Sequence, residues 1–146
     1  PGGSLGQRLA TCVDQLMHSD GLPVVREDAA LKDALATLNG GGLGLVAVVD
    51  QATLLKGVLT DGDVRRLVCA EELDMNRPVS EVMTVSPRRA IAGESSARVL
   101  DLMERNQITV LPVVRDDGRL AGMVHLHDLL GKGELTFAGG NGGGAG

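Results

Sequence analysis

Aromatic residues are almost absent from this sequence of 146 residues, which has one Phe and no Trp or Tyr. Proteins that bind single-stranded nucleic acid usually stack the bases on aromatic side chains. Duplex binding needs clustered cations, whereas this chain carries a formal net charge of −5. The composition therefore argues against DNA or RNA as a partner. Any base that binds here has to be held by backbone groups and aliphatic side chains.

Long hydrophobic runs and cysteine clusters are also missing. The longest apolar stretch, around Leu43 to Val49, contains a glycine and is far shorter than the roughly 18 residues that cross a bilayer. No segment has the charged and apolar regions of a secretory leader. Cys12 and Cys69 are far apart and match neither a metal-binding nor a disulfide spacing. These absences favour a cytoplasmic protein with reduced thiols and no membrane contact.

The sequence does contain an internal duplication. When Gly57 is aligned with Gly122, Asp63 falls on Asp128 without a gap. The longer matched segments are Leu43–Val49 with Ile108–Val114 and, after a shift of one residue, Val13–Met17 with Val79–Met83. Self-similarity of this kind predicts two copies of one structural unit.

Each copy shows the same order of periodic segments. Leucines at helical spacing indicate an amphipathic helix with Asp28 as N-cap in the first copy, and Ser95 or Ser96 stands near the start of the corresponding helix in the second. Two apolar runs separated by a polar turn then predict a β-hairpin. The runs are Leu45 to Val49 and Leu54 to Leu59, and Val110 to Val114 and Leu120 to Val124. A short helix closes each copy, from about residue 61 to 70 and from about 127 to 132. We therefore predict an α/β (α+β) fold with two β-α-β-β-α repeats.

The two repeats are expected to pack against each other. A unit of about 50 residues buries little core of its own, so the sheets should meet around a pseudo-twofold axis and leave clefts along the seam. The predicted division is 13–70 for the first repeat, 71–78 for a connector and 79–132 for the second repeat. Residues 133–146 form a glycine-rich tail that we predict to be disordered.

Thr60 and Asp63 stand where the first hairpin passes into a helix. One interpretation is a capping box, in which a Thr at the N-cap and an acid at N3 satisfy each other's amides. The other is a ligand site, in which Asp63 accepts from the vicinal diol of a ribose and Thr60 donates to the sugar or its phosphate. Gly57 would let the ligand approach the strand, and Arg65 and Arg66 would neutralise a phosphate at the helix N-terminus. The alternative for the arginines is a solvated helix face with Arg66 paired to Asp63.

The duplicated unit resembles a pair of CBS domains, the module named after cystathionine β-synthase. The resemblance rests on Gly57, Thr60 and Asp63 at the end of one hairpin and on Ile108–Val113 in the other copy, and it covers about residues 13 to 132. Further strings are similar to the C-terminal half of bacterial arabinose-5-phosphate isomerases: Pro1–Gly6, Asp14–His18, Thr60–Arg66 and His125–Leu130.

This resemblance implies that residues 1–12 are the end of a sugar isomerase domain to which the CBS pair is attached. It implies that the parent protein interconverts ribulose 5-phosphate and arabinose 5-phosphate for the Kdo of lipopolysaccharide, and that these residues alone have no isomerase activity. It implies a homodimer through the CBS pairs and a homotetramer in the parent. It also implies that strands of the same copy complete the cleft, in particular Leu45, Ala47 and the segment Leu22–Val25.

The second copy departs from the pattern, because His125 occupies the position of Thr60. Asp128 still offers a carboxylate to a diol. On an extended strand His125 and His127 would face the same way and, with Asp128, resemble part of a metal site. However, no further ligand is at hand and we expect the strand to end between the two histidines, so we predict no metal. The preferred interpretation is that one imidazole contacts an acidic sugar or phosphate and titrates near neutrality. The alternative is a surface strand end with a satisfied cap.

Two functions remain open. The first is a regulatory module without a cofactor that senses a nucleotide or nucleotide sugar, with CMP-Kdo, CMP, AMP and ATP as candidates; CMP-Kdo follows from end-product feedback in the family's pathway. The second is a structural oligomerisation module with no ligand. An independent enzyme is poorly supported, because the histidines cluster in one place and no serine lies in a nucleophile elbow.

Overall fold

A computed structural model describes residues 4–131 of the chain, and this part contains five α-helices and seven β-strands. The helices are α1 (Leu5–Leu9), α2 (Leu31–Gly41), α3 (Asp61–Cys69), α4 (Ser96–Arg105) and α5 (Leu126–Leu130). The strands are β1 (Val24–Arg26), β2 (Leu45–Val49), β3 (Leu55–Thr60), β4 (Thr84–Val85), β5 (Ala90–Ile91), β6 (Val110–Val114) and β7 (Leu120–His125). Single 3-10 turns lie at Val13–Gln15 and Val79–Glu81. The predicted disordered tail lies outside the described residues.

The predicted β-α-β-β-α order is confirmed in both copies, with hairpins β2–β3 and β6–β7. The predicted N-cap at Asp28 is wrong, because α2 begins after Ala30, which has no capping side chain. Instead, the first amides of α2 donate to carbonyl groups of the connector. Leu31 N–H donates to the Arg77 carbonyl at 2.8 Å, and Lys32 N–H donates to the Met75 carbonyl at 2.9 Å. A contact distant in sequence has replaced the local cap.

The sheets are completed by an exchange between the copies. The first sheet has the order β1-β2-β3-β4, and β4, which precedes the hairpin of the second repeat, pairs antiparallel with β3 of the first. The second sheet has the order β5-β6-β7. His18, which precedes the hairpin of the first repeat, forms an isolated bridge to Met123 on β7. The leading segment of each copy therefore joins the hairpin of the other copy.

The core has one layer between the sheets and one under each helical face. The central layer combines side chains of both hairpins: Leu45, Ala47, Leu55, Val58, Val110, Val114 and Met123. Val79 packs in the first copy's core and Val13 in the second copy's core, which repeats the exchange seen in the sheets. The hairpin tips also pair with each other, since Leu55 N–H donates to the Gly118 carbonyl at 3.1 Å. Burial of apolar surface between the sheets holds the two small units together, and the predicted sheet-to-sheet arrangement is confirmed.

Candidate functional site

The junction between β3 and α3 is a complete capping box. The side chain of Thr60 accepts from Asp63 N–H at 3.2 Å, and Asp63 Oδ2 accepts from Thr60 N–H at 3.0 Å. The Thr60 hydroxyl also lies 3.1 Å from Asp63 Oδ2. Thr60 and Asp63 therefore cap the N-terminus of α3, and the candidate site lies at this capped end of the helix.

The other oxygen of Asp63 is occupied as well. Asp63 Oδ1 accepts from the guanidinium of Arg66 and from the hydroxyl of Thr84 at 3.0 Å. The two oxygens of a carboxylate offer about four acceptor positions, and four donors engage them here. Only 6% of Asp63 is exposed. Of the two interpretations of Thr60 and Asp63, the capping box is present, and both carboxylate oxygens already have protein partners.

A cavity of about 230 Å³ lies beside this carboxylate. Its lining residues are Leu45, Val58, Thr60, Asp63, Arg66, Thr84, Pro87, Arg88, Ile108, Val110, Leu111 and Pro112. Hydroxyl and carboxylate groups line one part and aliphatic side chains line another. The expectation that the walls come from the first copy alone is wrong, because seven of the twelve lining residues belong to β6, to Ile108 just before it, or to the segment around β4. The exchange of segments brings these residues together.

Two arginines belong to the lining of this cavity. The side chain of Arg66 is 73% exposed although its guanidinium reaches Asp63. Arg88 is also exposed and was not anticipated from the sequence. Arg65 is exposed on α3 and is not one of the lining residues. Of the two neighbouring arginines on α3, the structure therefore brings only Arg66 to the cavity.

Gly57 and Ala47 lie apart from the cavity lining. A Cβ on Gly57 would stand 2.6 Å from the sulfur of Met83 and 2.7 Å from the carbonyl oxygen of Thr84. The glycine therefore admits the crossing segment rather than a ligand, and the role expected for it is wrong. Ala47 is fully buried in the central core. The segment Leu22–Val25 also lies outside the lining, and two of its side chains pack against that core.

The second copy repeats the geometry with histidines. His125 is the N-cap of α5; its Nδ1 accepts from His127 N–H at 3.0 Å, and its N–H donates to Asp128 Oδ2 at 2.8 Å. His18 Nε2 lies 3.0 Å from the same oxygen, whereas at Asp63 the corresponding residue Thr84 contacts the other oxygen, Oδ1. His127 belongs to α5, so the strand ends between the two histidines as expected, and their rings lie 4.6 Å apart. A small opening of about 100 Å³ beside Asp128 is lined also by residues of and near α1.

The surroundings of His125 lower the pKa of its imidazole. The pKa of His125 is lowered from its ordinary value of 6.5, chiefly because burial penalises the charged form and then because His127 is close. His18 lowers it further, and Asp128 opposes the shift. His125 is therefore neutral at neutral pH, as its role as an acceptor in the cap requires. Within residues 4–131 no group of three or more His, Cys, Asp or Glu side chains is arranged to hold a metal ion.

Sequence reasoning missed Thr84, Arg88 and His18, which approach the two sites from neighbouring segments. One signal was present: the shifted alignment that matches Met17 with Met83 also matches His18 with Thr84. Placing both residues at sites required knowledge of the exchange between copies, which the alignment alone does not contain.

The family comparison decides the identity of the fold. The model of the CBS domain matches residues 13–70 and 72–133. This chain belongs to the CBS domain family. The CBS pair also has full-length relatives: it is 38% identical over 135 residues to the arabinose 5-phosphate isomerase KdsD of Yersinia pestis, covering 91% of this chain and 40% of that protein. It is 41% identical over 132 residues to arabinose 5-phosphate isomerase GutQ of Escherichia coli, covering 88% and 40%. The chain thus spans about two fifths of the length of these relatives, and the resemblance to this isomerase family is confirmed.

Solved structures share the fold. CBSX2, solved in complex with AMP, superposes with a TM-score of 0.74 at 24% identity, covering 88% of this chain and 98% of that chain. The cytosolic domain of the Mg²⁺ channel MgtE, solved in complex with ATP, gives a TM-score of 0.71 at 28% identity, covering 88% and 51%. Among residues 4–131 of the CBS pair no helix is long and apolar enough to cross a membrane.

Proposed function

We propose that this CBS pair binds a nucleotide or nucleotide sugar in the cavity beside Asp63 and thereby regulates an attached sugar isomerase domain. The observation that carries the proposal is the composition of that cavity. Thr60, Asp63 and Thr84 supply hydroxyl and carboxylate groups for a ribose, and Arg66 and Arg88 supply positive charge for phosphate. The aliphatic wall of β6 suits a base in a chain that lacks aromatic platforms.

The size of the cavity limits what it can enclose. Its volume of about 230 Å³ is below the roughly 300–1,000 Å³ of a pocket that buries a drug-sized ligand. A base and ribose fill such a space, and the phosphates extend toward the exposed arginines at its rim. AMP in CBSX2 and ATP in the MgtE domain are bound by proteins of the same fold, which supports this ligand class. The candidate effectors are CMP-Kdo, CMP, AMP and ATP.

The proposed setting is that of the isomerase relatives. The parent protein interconverts arabinose 5-phosphate and ribulose 5-phosphate in the cytoplasm for Kdo and lipopolysaccharide synthesis, and the CBS pair supplies no catalytic residue. The CBS pairs of two chains associate as a homodimer, and the parent protein forms a homotetramer. A nucleotide sugar that carries Kdo would act as an end-product signal. Such a ligand can shift the isomerase only by its differential affinity for two arrangements, typically about 1–3 kcal/mol.

The second candidate is a structural oligomerisation module. One observation favours it: the Asp63 carboxylate already has four donors, so the cap is satisfied without a ligand. In that case the pair would assemble as a dimer and bind none of the candidate effectors.

Thermal unfolding with each effector separates the two candidates. A ligand at 100 times its Kd adds about 2.7 kcal/mol of stability, so the midpoint should rise with one of the four compounds. Asp63→Asn should abolish the rise, and the matched variant Asp128→Asn should keep it if the first cavity is the site. Light scattering on the same samples measures the oligomeric state. A dimer whose midpoint does not respond to any of the compounds would support the structural candidate instead.

A further inference from the structure

The Asp63 carboxylate has no acceptor position left for a sugar. Its donors are the amide and hydroxyl of Thr60, the hydroxyl of Thr84 and the guanidinium of Arg66. A vicinal diol brings two hydroxyl donors, so binding at this carboxylate requires that protein donors leave it.

The four donors differ in how easily they can leave. The amide of Thr60 is fixed by the helix cap. The two threonine hydroxyls can rotate and then accept from the diol, because a hydroxyl is both a donor and an acceptor. The side chain of Arg66 is 73% exposed, and an ion pair at such an exposed cation contributes little stability. Arg66 is therefore the charged donor that can be displaced, and it remains at the cavity rim after it moves.

We propose that Arg66 is a gate that covers Asp63 in the empty cavity and exchanges this carboxylate for a phosphate when a nucleotide binds. The proposal rests on the proposed function of the cavity. An unphosphorylated nucleoside has to displace Arg66 without offering it another anion, whereas a nucleotide supplies one. Arg66 would thus make the cavity select phosphorylated ligands, because it hinders the binding of nucleosides and forms an ion pair with the phosphate of nucleotides.

Arg88 provides a matched control for this exchange. It lines the same cavity, and within residues 4–131 it forms no ion pair with a carboxylate. A phosphate can attract Arg88 without any interaction being given up. Removal of Arg88 should therefore weaken the binding of nucleotides only. Removal of Arg66 should strengthen the binding of nucleosides and weaken the binding of nucleotides.

Calorimetric titration of the wild type, Arg66→Gln, Arg66→Lys and Arg88→Gln with AMP, adenosine, CMP and cytidine tests the gate. Arg66→Gln should bind the nucleosides several-fold more tightly, because the guanidinium no longer covers Asp63. It should bind the nucleotides about tenfold more weakly, because the charge-assisted contact with the phosphate is lost. Arg66→Lys should restore most of the selectivity for nucleotides. Arg88→Gln should weaken the nucleotides and leave the nucleosides unchanged. Circular dichroism of each variant checks the fold.

Each outcome bears on the gate and on the proposed function separately. If the wild type binds nucleotides but Arg66→Gln weakens both ligand classes by one factor, or changes neither, the gate is refuted and the proposed function stands. If the wild type binds none of the four ligands but Arg66→Gln binds the nucleosides, the covering of Asp63 by Arg66 is supported, whereas nucleotide binding by the natural cavity, and with it the exchange of the carboxylate for a phosphate, is refuted. If neither the wild type nor Arg66→Gln binds any of the four ligands, the gate is refuted, and the thermal unfolding with CMP-Kdo and ATP decides the proposed function.

Discussion

Removal of the Asp63 carboxylate should destabilise the protein more than the same change at its counterpart in the second copy. In Asp63→Ala the partly buried amide of Thr60 loses its acceptor, which costs about 1–3 kcal/mol. The pair with the exposed Arg66 adds about 0–1 kcal/mol. The Thr60 and Thr84 hydroxyls can turn toward the cavity and recover partners there. The expected loss is about 2.5 kcal/mol, and for a chain of this size the unfolding midpoint should fall by about 10 °C.

Asp128→Ala is the matched variant. Asp128 also accepts from the amide of its N-cap residue, and His18 Nε2 lies 3.0 Å from the same oxygen. However, its side chain is 24% exposed, against 6% for Asp63, so water can replace the lost acceptor. We expect a loss of about 1 kcal/mol, since partly solvated groups have a smaller desolvation penalty.

Thermal and urea unfolding of both variants without ligand, followed by far-ultraviolet circular dichroism, measures the difference. Asp63→Asn serves as a further control, because its amide oxygen can still accept from the Thr60 amide, and about half of the stability should return. The reasoning is refuted if Asp63→Ala unfolds at the same midpoint as Asp128→Ala or above it. In that case the four donors around Asp63 would not make it a structural anchor.

Two further predictions concern the duplicated close contacts and the histidine cluster. Gly57→Ala should lower the free energy of unfolding by about 1–3 kcal/mol, because the new Cβ would meet the sulfur of Met83 at 2.6 Å. Gly122→Ala should lower it by a similar amount, because the nearest atom is also 2.6 Å away. Urea denaturation measures both losses, and an unchanged free energy in either variant would contradict this prediction. The pKa of His125 is lower in the folded protein than its ordinary value of 6.5. As the pH falls below about 6.5, His125 therefore takes up a proton more readily in the unfolded chain than in the folded protein, and the free energy of unfolding decreases. Above about pH 6.5 this loss is absent. His125→Asn keeps an N-cap acceptor and should reduce the loss of stability between pH 8 and 5; an unchanged pH profile would show that His125 does not cause it.

Local patterns predicted the units of this fold well, because their physical causes are local. Apolar runs of five or six residues separated by a polar turn can bury both faces only as a hairpin, and β2 (Leu45–Val49) and β6 (Val110–Val114) begin and end where predicted. Ser95 caps α4 through its own side chain. By contrast, the prediction that Asp28 caps α2 was wrong. The first amides of this helix donate to carbonyl groups of the connector, which is far from Asp28 in sequence.

The candidate site was predicted in part for the same reason. Thr60 and Asp63 are three residues apart, so their mutual contact is encoded in the spacing. Whether Gly57 faces a ligand or a neighbouring chain segment depends on what crosses β3, and spacing carries no information about that. Thr84 and Arg88 reach the cavity only because β4 leaves its own repeat.

The sequence by itself determined that the chain is a duplicated β-α-β-β-α unit with a capped helix after each hairpin, since periodicity and short-range capping act over a few residues. Only the tertiary structure decided that the leading segment of each repeat joins the other repeat, that the cavity has walls from both copies, and that Asp63 is enclosed by four donors. The physical reason is that apolar burial between the two sheets is non-directional. The residues that meet at the seam are selected by the packing of the whole molecule.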